Sequence, residues 1–114
     1  FCMIAGGETI VQLGEQPVGL GGRNLEVALG AVQPLSGSNA VFISFATDGE
    51  DGPTNAAGAV VTGETEKRAG ASGLSAVDFL SRHDSYHYFQ PLGNLLLSGP
   101  TGTNVNDLVF MFLH

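Results

Sequence analysis

The apolar positions change period several times along the chain. In RNLEVALGAVQPL, residues 23–35, Leu25, Ala28, Leu29 and Val32 recur at the spacing of one helix face, and Pro34 with SGSN closes the pattern. AVFISFAT, residues 40–47, is apolar on both alternating sets and rich in β-branched and aromatic residues, which predicts a central strand covered on both faces. Before the first helix, FCMIA and ETIVQL are β-rich runs separated by two glycines, a spacing that predicts an opening hairpin.

Beyond the central strand, PTNAAGAVV at 53–61 reads as a helix with Pro53 at its first position, where the missing N–H costs nothing. GETEKRAGASG predicts a short exposed helix. LSAVDFLSRH and SYHYFQPLG predict two more, with Ser75 and Asp84 as N-caps. NLLLSG and LVFMFL read as closing strands. This alternation implies one layered α/β domain over residues 1–114, with helices packed on a mixed β-sheet that starts in the hairpin.

Composition narrows the function. An apolar fraction of 43% with 13% charged residues excludes disorder, and 114 residues suffice for one core. Four cations against eleven carboxylates give a net charge of −7, so no basic stripe exists to neutralise a nucleic-acid backbone. No apolar run reaches the roughly 20 residues a membrane span needs, and the opening lacks a signal-peptide pattern. The single cysteine, Cys2, lies in an apolar run, which predicts a small buried thiol and a reducing, cytoplasmic setting. A chain that starts on Phe1 in mid-strand reads as part of a longer protein.

Three glycine-rich turns hold the polar residues a packed fold does not demand: GLGGRN at 19–24, TDGEDGPT at 47–54 and GPTGTN at 99–104. In the first, Gly21 and Gly22 let backbone approach a ligand, and Arg23 stands at a helix start, where free amides and a guanidinium favour an anion. A glycine turn followed by a solvated arginine has the same spelling. In the second, Asp48 ends a strand, where crevices form in open α/β sheets. Asp51 is placed to cap free amides or to reach a metal ion, and Asp-Gly is also ordinary turn chemistry. In the third, Thr101, Thr103 and Asn104, followed by Asp107, suit phosphate oxygens or a hydrated cation as well as plain turns. Neither a dinucleotide fingerprint nor a Walker A loop is present. The adjacent residues of HDS at 83–85 cannot converge as a triad, and His83 with His87 lacks a third metal ligand.

Taken in order, AGGET at 5–9, GGRNLEVAL at 21–29, TDGEDGPTNAAGAVV at 47–61, HDSYHYF at 83–89 and GPTGTNVNDL at 99–108 resemble the MOFRL domain, the C-terminal domain of ATP-dependent glycerate 2-kinases, a group also labelled hydroxypyruvate reductase. The resemblance covers almost the whole chain. It implies transfer of the ATP γ-phosphoryl group to the 2-hydroxyl of glycerate, with Mg²⁺, in a cleft shared with an N-terminal domain; a homodimer is left open. By the same resemblance Arg23 and Asp48 are the catalytic candidates. Gly21, Gly22, Asn24, Thr54, Thr101, Gly102, Thr103 and Asn104 bind substrate or phosphate, and Asp51 and Asp107 serve the metal. The chain departs from the family pattern at Leu25, Ala46, Asn55 and His83, the first in place of an amide suited to contact ligand or to hold the loop. A reductase, or a detached anion-binding domain without activity of its own, are the rival readings.

Overall fold

The computed structural model describes residues 2–7, 19–103 and 106–113. Among these residues five strands form one sheet in the order β1 (Cys2–Gly7), β5 (Asp107–Leu113), β2 (Ala40–Ala46), β3 (Gly58–Thr62) and β4 (Leu95–Leu96). The helices are α1 (Arg23–Leu35), α2 (Thr65–Ala71), α3 (Ala76–Ser81) and α4 (Ser85–Phe89).

The predicted central strand is central. β2 pairs with β5 on one side and β3 on the other, setting Ser44 opposite both Val109 and Ala59. Period-2 alternation then sorts its side chains. Phe42 and Ser44 face α1, while Val41, Ile43 and Phe45 face away. On the helix side, Leu25, Ala28, Leu29 and Val32 of α1 close on Ala59 and Val61, joined by Tyr88 and Phe89 of α4. The four α1 residues picked out by spacing are thus the helix's core face, each at most 2% exposed.

The layered α/β class holds, and the mixed sheet is corrected: every pairing among the described strands is antiparallel. β1 finds its partner in β5 at the far end of the sequence. The hairpin partner, residues 8–13, lies outside the described residues. The helix read at 53–61 is also corrected. Residues 51–57 turn, and β3 runs antiparallel to β2 from Gly58. Gly58 lies hard against the Ser44–Phe45 backbone, and Val60, Val61 and Thr62 suit a pleated surface. Tertiary pairing overrides the helical reading of the alanines.

α2 is only partly the exposed helix expected, because Thr65 and Ala69 are fully buried. Ser75 caps α3 as predicted, accepting a bond from the Asp78 N–H. Asp84 occupies the N-cap position of α4 without capping it. Cys2, expected to be buried, is exposed on β1. No helix among the described residues is long and apolar enough to cross a membrane.

Candidate functional site

The three glycine-rich turns meet at one end of the sheet. The first and second join through a buried carboxylate. Asp51, 1% exposed, accepts the Asn24 N–H at 3.0 Å and the Asn24 side-chain amide at 3.2 Å on Oδ1, and the Leu25 N–H at 2.7 Å on Oδ2. The amides that open α1 are therefore already occupied by an internal anion, a cap supplied from 26 to 27 residues away. Burial pushes the Asp51 carboxyl above its ordinary value, opposed by the three N–H donors. Gly22 makes the approach feasible: a Cβ there would collide with the Asp51 carboxyl and carbonyl groups.

Behind this cap, Asn24 is itself 1% exposed, and its Oδ1 accepts the Ser44 hydroxyl at 2.8 Å. Ser44, Asn24 and Asp51 form a buried polar chain from β2 to the acidic turn. Thr54 also points inward. It is 4% exposed, and its hydroxyl lies 2.8 Å from the Asp51 carbonyl. Asn24 and Thr54, expected to bind ligand, spend their side-chain groups on the scaffold.

The second and third turns join by backbone. The Asp48 carbonyl accepts the Thr101 N–H at 3.1 Å, and the Thr101 hydroxyl donates to the Thr47 carbonyl at 2.6 Å. Gly49, at φ +92°, packs directly on the Gly99 carbonyl, where no side chain fits. Asp48 Oδ1 accepts the Glu50 N–H at 3.0 Å; among the described residues its other oxygen takes no hydrogen bond. Thr101, Gly102 and Thr103 are exposed. Asn104 lies outside the described residues.

Arg23 and Asp107 link the first turn to β5. Arg23 Nε donates to Asp107 Oδ2 at 2.6 Å and Nη2 to Oδ1 at 3.3 Å. The Asp107 side chain is 7% exposed and that of Arg23 38%. Asp107 sits opposite Ala46, two positions before Asp48, so guanidinium and Asp48 carboxylate belong to the same sheet end. A cleft of about 170 Å³ opens beside the pair, lined by Ala5–Gly7 of β1, Val27 of α1 and Val109 of β5, and by the polar residues Asn24, Ser44 and Asp107.

Asp51 and Asp107, expected as metal ligands, have both oxygens engaged, one by amides and the other by Arg23. Among the described residues no group of three or more His, Cys, Asp or Glu side chains stands close enough to hold a metal ion. Of the carboxylates of Asp48, Asp51 and Asp107, only that of Asp48 has an oxygen without a hydrogen bond among the described residues.

The HDSYHYF segment serves as a buttress that residue spacing did not reveal. Leu20 N–H donates to Asp84 Oδ1 at 2.9 Å, and Tyr86 N–H to the Leu20 carbonyl at 3.0 Å, holding the first turn against α4. His83, at φ +52°, places Nδ1 2.7 Å from Glu26 Oε1 on the first turns of α1. Tyr86 donates to Asn55 Oδ1 at 2.8 Å. The departure at Leu25 is a packing feature: its side chain is 0% exposed in the core.

The chain has relatives among known proteins. Residues 1–107 match the model of the MOFRL family. D-glycerate 2-kinase of Thermotoga maritima is 48% identical over 108 residues, covering 94% of this chain and 25% of the relative. The crystal structure of glycerate kinase from the same organism superposes with a TM-score of 0.94 at 45% identity, covering 99% of this chain and 27% of that one. A protein of Agrobacterium vitis named putative hydroxypyruvate reductase is 42% identical over 93% of this chain and 24% of its own. The chain spans about a quarter of the length of the curated relatives it matches.

Proposed function

We propose that the chain, which belongs to the MOFRL family, is the C-terminal domain of a cytoplasmic glycerate 2-kinase that transfers a phosphoryl group from ATP to the 2-hydroxyl of glycerate. The observation that carries this reading is a guanidinium held by a buried carboxylate at the same sheet end as a half-buried aspartate with an uncommitted oxygen, in a chain close to half identical to glycerate kinases.

Both reactants are anionic, and charge spreads over the phosphoryl oxygens in the transition state, so the protein's task is positioning and charge neutralisation. Arg23 serves as a preorganised fork for the glycerate carboxylate or a phosphate. Asp107 is its orienting partner, a role that replaces metal binding for this residue. Asp48 orients the hydroxyl and accepts its proton. Mg²⁺, when bound, would neutralise phosphate charge, and Asp48 is the residue suited to hold it through water. Thr101, Gly102 and Thr103, exposed beside Asp48, line the phosphate path, with Asn104 next to them in sequence. Gly22 admits the Asp51 carboxyl and Gly21 the Ser85 side chain to the helix entrance, whose shape Asn24, Asp51 and Thr54 fix.

The test is glycerate-dependent ADP release by the full-length protein. Absence of ADP release, together with nicotinamide oxidation on adding hydroxypyruvate, would replace the kinase by the reductase that the Agrobacterium relative's name suggests.

A further inference from the structure

Among the described residues all four helices lie on one face of the sheet: α1 meets β2 and β3, and α2, α3 and α4 gather around α1. The opposite face is apolar and has no described element over it. Register places Ile43 beside Phe110, Val41 beside Phe112 and Phe45 beside Leu108 on this side. The rings form a ladder, with Phe45 stacked on Phe110 at 5.8 Å and Phe110 on Phe112 at 6.4 Å. Ile4, 63% exposed, extends the patch onto β1 opposite Phe110. None of β1, β2, β3 or residues 108–113 carries a charged side chain.

A sheet apolar on both faces needs a layer on each. A contiguous aromatic patch without charge has the character of a permanent interface, which resembles a domain core cut in half. Two observations select the occupant. The matched relatives carry about three quarters of their length outside this region, and a tethered segment binds at a high effective concentration. A second copy would instead bring another net charge of −7 against this one, which opposes self-association.

We propose that the helix-free sheet face bearing Phe45, Phe110 and Phe112 is the surface on which the remaining part of the full-length polypeptide packs, through an apolar surface of its own. The inference rests on the chain being one domain of a longer kinase. It also accounts for Cys2, which reads as a buried thiol in sequence, is exposed in the isolated domain, and lies beside Phe112 on this face.

The experiment uses the full-length protein with Phe112→p-benzoylphenylalanine, irradiated and mapped by mass spectrometry. Cross-links within one chain to residues outside 1–114 are the expected result. Cross-links between two copies that vanish on dilution, cross-links confined to residues 1–114, or none at all would each overturn the proposal. Should the substituted protein not fold, maleimide labelling of Cys2 in the unsubstituted full-length protein decides. Labelling at least about tenfold slower than in denatured protein is expected, because interface cores pack like protein interiors; labelling at the denatured rate overturns it. Glycerate-dependent ADP release by the same preparation reports on the reaction separately, so an inactive protein that still cross-links keeps the surface and loses the kinase.

Discussion

Arg23 and Asp107, 84 positions apart, form a two-pronged ion pair that fastens the first turn of α1 to the first residue of β5. The planar fork is held flat against a carboxylate, so its orientation is fixed before any ligand arrives. Replacing Asp107 by Asn keeps the shape and removes the charge that holds the fork. In the full-length enzyme kcat/KM for glycerate should fall about tenfold to a hundredfold, the usual range for a misplaced reacting group. Steady-state kinetics beside a thermal melt separate this from a loss of fold.

Asp48→Asn preserves the acceptor for the Glu50 N–H and removes the charge. The expected result is a loss of about a hundredfold or more in kcat, the scale of general-base removal, with an unchanged melting temperature. Turnover near that of the unsubstituted enzyme would show that Asp48 has no part in the chemistry.

Asp51 is expected to matter for stability before chemistry. Asp51→Asn turns one of two acceptor oxygens into a donor facing backbone N–H groups, at a cost of about 2–3 kcal/mol. The pH dependence has a definite sign. Burial raises the native carboxyl above 3.8, so between 3.8 and the raised value the native state binds more protons than the unfolded state, and the stability Asp51 contributes declines as pH rises. The advantage of Asp51 over Asn should therefore be larger below this window than above it, as read from urea midpoints of the two proteins at both pH values.

Tyr88 offers the opposite case. Its ring is 0% exposed, its hydroxyl has no hydrogen-bond partner among the described residues, and burial pushes its pKa to about 12. Tyr88→Phe removes an unpaired buried hydroxyl while keeping the edge-on contacts with Phe79 and Phe89. It should leave stability unchanged or raise it by about 1 kcal/mol, measured by denaturant unfolding.

Periodicity carried the parts of the fold whose signal is local. Leu25, Ala28, Leu29 and Val32 mark the buried side of α1 because a helix repeats every three to four residues. The β-branched and aromatic run at 40–47 marks the central strand for the same local reason. Gly58–Thr62 misled because the short Ala-rich stretch before it is ambiguous until β2 lies alongside. Asp51 was legible as a cap, yet the helix it caps starts 28 positions earlier, and nothing in sequence spacing links a turn to a helix already passed. The same holds for Asp107, whose type suits metal or arginine equally. Its partner is decided by the register of β5 on β2, a tertiary fact.

The central claim is that Arg23 acts as an oriented fork toward an anionic reactant, and Arg23→Lys in the full-length protein tests it most directly, since lysine keeps the charge and loses the planar geometry. Glycerate-dependent ADP release should fall by about a hundredfold in kcat/KM, with the melting temperature close to that of the unsubstituted enzyme. Kinetics indistinguishable from the unsubstituted enzyme would contradict the account.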